Sequence, residues 1–111
     1  METSLLKQET LLQLRKDFGT LWDEVENEPL NFDYLYTKTF SILKKIQHTQ
    51  AFMSLLYKID IPEADYKASM QAINSLEVLS ELIIKREFLK VLFRKNYQID
   101  NKEELFKRLK S

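Results

Sequence analysis

The sequence contains no cysteine and has only one glycine, two prolines and one histidine. The absence of cysteine excludes disulfide bonds, a thiol nucleophile and a zinc–thiolate site. The scarcity of glycine and proline excludes a β protein of this size, which would need many tight turns built from those residues. The composition therefore predicts an all-α chain.

Neither sign of charge dominates, because 17 basic residues balance 17 acidic residues. A neutral chain has no overall field that would draw in nucleic acid or an anionic membrane. The amino terminus, METSLLKQETLL, lacks an apolar run long enough for a signal peptide, and no segment approaches the ~20 apolar residues of a membrane span. We therefore expect a cytoplasmic protein without membrane contact, folded as a single helical domain over residues 1–111.

Apolar periodicity and helix-breaking residues predict four helices, over about residues 4–26, 32–58, 63–97 and 102–110. Asn31 suits the N-cap of the second helix. Asp60 and Glu63 stand at the spacing of a capping box, which predicts a tight turn before the third helix. Gly19 falls on the far side of the first helix and is interpreted as a tolerated surface residue. The predicted architecture is an antiparallel three-helix bundle with a short C-terminal fourth helix, in which the third helix is the longest.

The apolar face of the third predicted helix changes direction partway along it. Apolar side chains of residues 64–79 share one side of the helix, whereas those of residues 82–93 are centred on another side. A straight helix that faces one partner keeps one face, so the change predicts either a kink near Ser80 or a different partner for the later half. That partner could be the carboxyl-terminal helix, the first helix or a second copy of the protein. We favour a second copy in a homodimer, or another protein, because a large exposed apolar patch usually marks an interface. The candidate interface residues are Val78, Leu82, Ile84, Phe88, Leu89, Leu92 and Phe93.

A basic stripe follows the same segment, since residues 85–95 carry five bases and one acid. Its cations are Lys85, Arg86, Lys90, Arg94 and Lys95. Three interpretations stay open: a solvated helix face, a docking site for the acidic first helix of a second subunit, and a contact with a nucleic-acid backbone. The neutral chain and its acidic amino-terminal third disfavour nucleic acid. Glu87 and Lys90 are interpreted as an ordinary surface pair.

The residue types that carry catalysis are few and far apart. His48 is the only histidine, and no acid stands three or four residues from it. The glutamate pairs Glu24/Glu28 and Glu77/Glu81 are interpreted as solvated, and neither supplies enough oxygens for a metal. We therefore predict no catalytic, cofactor-binding or metal-binding residue.

These observations favour a non-enzymatic helical interaction or scaffold module that self-associates through the second half of the third helix. The alternative is a small nucleic-acid-binding or regulatory protein that uses the basic stripe at residues 85–95.

Overall fold

The computed structural model describes residues 3–95 and 102–111, and 79% of these residues are helical. Six α-helices are present in this part of the chain: α1 (Thr3–Phe18), α2 (Phe32–Ile46), α3 (Gln50–Ile59), α4 (Glu63–Met70), α5 (Ser75–Arg94) and α6 (Lys102–Lys110). The described residues contain no strand, which confirms the all-α prediction. The predicted bundle of three long helices with one short helix is not what the structure shows, because the second and third predicted helices are each divided in two.

The first helix is shorter than predicted and ends at Phe18 rather than near residue 26. Gly19 follows it with a φ of +58°, in the left-handed region that a residue with a β-carbon seldom adopts. A short 3₁₀ turn over Gly19–Leu21 then leads into an irregular connection over residues 22–31. Gly19 does lie on the surface, as the sequence indicated, but it ends the helix and is not a residue tolerated inside it.

The second predicted helix is divided between Ile46 and Gln50. Its start is as predicted, because the Asn31 side chain accepts a hydrogen bond from the backbone N–H of Tyr34 at 2.8 Å. The division falls at His48, whose φ of +66° is incompatible with a continuing right-handed helix. No glycine or proline stands at this turn, so no local residue indicates the division.

The predicted turn near Asp60 is present, although Asp60 ends α3 instead of starting α4. Its φ is +66°, and its backbone N–H donates to the carbonyl oxygens of Leu56 and Tyr57. Pro62 occupies the N-cap position of α4, and its side chain provides no capping hydrogen bond. The prediction of a turn at this place is therefore confirmed, but the prediction that Asp60 and Glu63 form a capping box was wrong.

The third predicted helix is divided over residues 71–74, not near Ser80. Helix α5 continues through Ser80, whose hydroxyl donates to the carbonyl oxygen of Leu76 at 2.7 Å. The apolar faces of residues 64–79 and 82–93 differ in direction because they belong mainly to two separate helices. The predicted end at residue 97 lies outside the described residues, and α6 has the bounds that the sequence predicted.

Helix α5 runs through the core and contacts α1, α2, α4 and α6. Its side chains Ile83, Ile84, Phe88 and Val91 have no exposed surface. Phe106 of α6 packs on Phe88, with the ring centroids 5.7 Å apart. The apolar surface of the later half of α5 is therefore covered largely within one chain, by α1, α2 and α6.

Candidate functional site

A groove opens on the outer side of α5, between α4 and α6, with a volume of about 430 Å³. Its apolar lining on α5 consists of Val78, Leu82 and Leu89, which share one helix face at steps of four and seven residues. Pro62 and Ala68 line the side formed by α4. We call this feature the α5 groove. It is the place where partly exposed apolar residues of α5 come together.

Ion pairs on both sides of α5 hold the walls of the groove in position. On the α4 side, the Arg86 guanidinium lies 3.2 Å from the carboxylate of Asp60. On the α6 side, the Lys85 ammonium lies 2.8 Å from the carboxylate of Glu103. Pairs this exposed contribute little stability, at most about 1 kcal/mol each, but they fix where the two neighbouring helices start.

The interface candidates fall into three groups in the structure. Ile84 and Phe88 are completely buried and Leu92 is 3% exposed, so these three belong to the core and cannot meet another chain. Val78, Leu82 and Leu89 retain some exposure and line the α5 groove. Phe93 is half exposed but does not line the groove.

The cations of the basic stripe are engaged within the chain. In addition to the two pairs beside the groove, Lys90 lies 2.7 Å from Asp17, and Lys95 lies 2.9 Å from Glu9. Arg94 donates a hydrogen bond of 2.8 Å to the side-chain oxygen of Gln13. Acidic residues of α1 do meet the basic stripe, but they do so inside one subunit. Little unpaired positive charge is left on this face for a nucleic-acid backbone.

Helices α1 and α5 enclose a buried carboxyl pair that the sequence analysis missed. Glu87 has no exposed surface, and its carboxyl group lies against that of Asp17. Burial and the neighbouring Asp17 carboxylate raise the pKa of Glu87 to about 9. Burial opposes ionisation of Asp17 as well, but hydrogen bonds from Glu87, Lys90 and Gln13 outweigh it and lower the pKa of Asp17.

The carboxyl pair shares one proton at neutral pH, an arrangement that acid–base enzymes also use. Neither oxygen of Glu87 accepts a hydrogen bond from a described group, which agrees with a protonated carboxyl at this position. None of the four surface cavities described in this structure is lined by Glu87 or Asp17. The pair therefore joins two helices and has no visible route to a substrate. The predicted pairing of Glu87 with Lys90 is present at 3.5 Å, but Glu87 is buried, so its interpretation as a surface residue was wrong.

A second buried acid, Glu28, organises the connection between α1 and α2. Its carboxylate is 1% exposed and lies 2.6 Å from the Arg15 guanidinium and 2.9 Å from the Lys38 ammonium. It also accepts hydrogen bonds from the Tyr34 hydroxyl and the Trp22 indole N–H. Glu28 was expected to be solvated, and no local sequence signal indicates that it is buried.

These contacts set the charge of the Glu28 cluster. Burial would raise the pKa of Glu28, but the hydrogen bonds that it accepts from Tyr34, Lys38 and Arg15 are stronger and lower it to about 2. Burial would lower the pKa of Lys38, yet its contact with Glu28 raises it. Glu28 is therefore ionised at neutral pH, and its ion pairs with Arg15 and Lys38 attach the connection to α1 and α2.

Among the residues that the structure describes, the other polar side chains form no metal site. His48 is exposed and contacts no described acid. Within residues 3–95 and 102–111, no three His, Asp or Glu side chains are placed to share a metal ion. In the same ranges, no helix combines the length and the apolar character needed to cross a membrane.

Comparisons of the chain with protein-family models, with curated proteins and with solved structures found no match.

Proposed function

We propose that this protein is a non-enzymatic helical interaction module that binds an amphipathic helix of another protein in the α5 groove. The observation that carries the proposal is the row of Val78, Leu82 and Leu89, which forms an apolar floor between two charged walls. Helix-in-groove binding uses apolar side chains at such helical steps. The row spans about 16 Å at 1.5 Å per residue, which matches about three turns of a bound helix.

The size of the groove favours a partner helix over a second whole subunit. A stable dimer usually buries about 800 Å² on each partner, with an apolar centre. With Ile84, Phe88 and Leu92 in the core, the apolar surface left on this side of α5 is limited to the groove floor. A single amphipathic helix needs only such a floor and a charged rim. Because the apolar area that it buries is small, we expect this complex to form reversibly.

The charges on the rim indicate what the partner helix carries beside its apolar face. Lys102 lies at the α6 side of the groove and forms no ion pair with a residue that the structure describes. Asp65 lies on the α4 side and is likewise without an ion pair in the described ranges. An acid on one flank of the partner helix and a base on the other would satisfy both residues.

The nucleic-acid alternative has less support, because the cations at residues 85–95 already have partners in the same chain. A backbone contact would first have to break those pairs. A cytoplasmic location is kept as part of the proposal, and it agrees with the absence of cysteine.

A selection from a displayed library of amphipathic helices tests the proposal. The wild-type protein should enrich helices that share one spacing of apolar residues. When a selected helix is added to isotope-labelled protein, the largest changes in NMR chemical shift should occur at Val78, Leu82 and Leu89. Leu82→Glu should reduce binding at least about tenfold, because it places a charge in the apolar floor. Phe93→Glu is the matched control, since it changes an exposed apolar residue of α5 outside the groove. If the selected helices bind both variants equally well, the α5 groove is not their site.

A further inference from the structure

A second cavity, with a volume of about 370 Å³, adjoins the α5 groove at the end nearest the start of α5. Val78 lines both the cavity and the groove, so a helix bound in the groove reaches the cavity with its terminal turn. The other lining residues belong to the beginnings of α2 and α5, and they are Phe32, Asp33, Tyr36, Asn74, Glu77 and Glu81. We call this feature the end cavity.

The lining of the end cavity combines carboxylates with aromatic rings. Asp33 and Glu77 are exposed, and neither forms an ion pair with a cation in the described part of the chain. The rings of Phe32 and Tyr36 stack with their centroids 6.0 Å apart. Burial raises the pKa of the Tyr36 hydroxyl, and the negative charges of Glu77 and Glu81 raise it further. The carboxylates therefore act on the interior of the cavity and not only on the solvent.

One lysine of the chain shows which chemistry this surface accepts. The Lys110 ammonium lies 3.3 Å from the carboxylate of Glu81 and 6.0 Å from the centroid of the Phe32 ring. A carboxylate and the face of an aromatic ring both attract an ammonium group. Lys110 itself does not line the cavity, so Asp33 and Glu77 stay open to a second base. That base can enter from the α5 groove.

We propose that the end cavity receives a lysine or arginine side chain of the amphipathic helix bound in the α5 groove. The inference rests on the proposed function of the groove and adds one specificity-determining residue of the partner. The base stands about one turn beyond the apolar residue that contacts Val78. Its apolar stem packs on Val78 and Tyr36 while its charge meets the free carboxylates.

The opposite end of the groove favours the opposite charge. Lys102 lines that end beside Leu89 and forms no ion pair with a described residue. A base on the partner helix is therefore attracted at the Val78 end and repelled at the Leu89 end. This difference determines which end of the bound helix lies at the start of α5.

A second selection identifies the residue that the end cavity prefers. The selected helices keep their apolar row, and every amino acid is allowed at the positions one turn beyond each end of it. The wild type should enrich lysine or arginine at one end. Asp33→Asn with Glu77→Gln should abolish this preference. Glu24→Gln with Glu26→Gln is the matched control and should keep it, because it removes two exposed acids far from the groove floor in sequence.

A charge exchange tests whether the selected base meets the end cavity. At low salt, Asp33→Asn with Glu77→Gln should weaken binding of a selected helix about fivefold, and added salt should reduce the difference. Replacing the base of that helix by glutamate should weaken its binding to the wild type. The glutamate helix should then bind Glu77→Lys more tightly than wild type, a recovery that a change in folding does not produce. Urea unfolding confirms that each variant is folded.

The outcomes distinguish this proposal from the proposed function. If Leu82→Glu leaves the binding unchanged, the helices do not lie in the α5 groove and both proposals are wrong. If Leu82→Glu weakens binding but no base is enriched, or an apolar residue is enriched instead, only the end-cavity proposal is wrong. It is also wrong if Asp65→Asn abolishes the preference for a base and Asp33→Asn with Glu77→Gln does not, because the base then lies against α4.

Discussion

The carboxyl groups of Glu87 and Asp17 meet inside the interface between α5 and α1, far from each other in sequence. The Lys90 ammonium bridges them, at 2.7 Å from Asp17 and 3.5 Å from Glu87. One positive charge faces two acids in a buried site, so one acid keeps its proton. Glu87 holds that proton, because it is the more deeply buried of the two.

The first prediction concerns Glu87→Gln and the stability of the protein in mild alkali. An unfolded glutamate loses its proton near pH 4.5, whereas folded Glu87 keeps it up to about pH 9. The folded state therefore binds more protons across this window, and the free energy of unfolding falls by up to about 1.4 kcal/mol per pH unit from this group. The glutamine amide cannot ionise and can still donate to Asp17, so the variant should be more stable than wild type at pH 8 by on the order of 2 kcal/mol.

Urea unfolding at pH 6, 7, 8 and 9 measures this difference. The change in Asp17 protonation falls at lower pH, since the pKa of Asp17 is lowered from 3.8, and does not interfere. Glu77→Gln is the control, because it removes an exposed acid from the first turn of the same helix. It should keep the wild-type slope. Parallel slopes for wild type and Glu87→Gln would show that Glu87 is ionised in the folded protein.

The second prediction concerns Glu28→Gln and the stability of the protein at acidic pH. Folded Glu28 keeps its charge down to about pH 2, while the unfolded residue is protonated near pH 4.5. Its contribution to stability is therefore complete above pH 4.5 and is lost as the pH falls toward 2. The glutamine variant lacks the charge that Arg15 and Lys38 require, so it should lose about 2 kcal/mol at pH 7.

Urea unfolding at pH 7, 4 and 3 should show the gap between wild type and Glu28→Gln closing as the solution becomes acidic. Glu26→Gln changes an exposed acid of the same connection and should alter the free energy of unfolding by no more than about 0.5 kcal/mol. A constant gap from pH 7 to pH 3 would mean that the network does not depend on the charge of Glu28.

The third prediction separates the core of α5 from its surface. Phe88→Ala should lower the free energy of unfolding by about 3–5 kcal/mol, because Phe88 is fully buried against Phe106. Phe93→Ala on the same helix should cost about 0.5 kcal/mol, since half of that side chain is exposed. Urea unfolding of both variants compares them directly. A small loss for Phe88→Ala with a change in association state would place Phe88 at an interface between chains, as the sequence analysis expected.

Local signals explain which parts of the fold were predictable. The N-cap at Asn31 depends on residues within one helical turn, and so does the turn beside Asp60. The bounds of α6 followed from a short apolar face and its flanking charges. Features of this kind depend on residues that are close in sequence, so they can be predicted from a single sequence.

The parts that were missed depend on contacts between distant residues. Lys90 and Asp17 are 73 residues apart, so nothing near Glu87 indicates that an acid from α1 lies beside it. The apolar pattern of residues 82–93 indicates that these side chains are buried, but it does not indicate whether they pack against the same chain or a second one. For the candidate site, the sequence placed Val78, Leu82 and Leu89 among the interface candidates. It did not distinguish these partly exposed residues from the candidates that are buried in the core.

The last prediction concerns two of the helix ends at left-handed residues, those at Gly19 and His48. Gly19 has a φ of +58° and His48 a φ of +66°, and a residue with a β-carbon pays about 1–2 kcal/mol to adopt this conformation. Gly19→Ala should therefore destabilise the protein by about 1 kcal/mol. A clash is not the reason, because a β-carbon at this position would have no atom within 4 Å.

His48 offers the opposite experiment, since it already carries a β-carbon in the strained conformation. His48→Gly relieves that strain but also gives the unfolded chain more freedom, so the net gain should be about 0.5 kcal/mol. His48→Ala is the matched control, because it removes the imidazole and keeps the β-carbon. The glycine variant should exceed the alanine variant in free energy of unfolding by about 1 kcal/mol. Equal values for the two variants in urea unfolding would mean that the turn between α2 and α3 does not impose a left-handed conformation at residue 48.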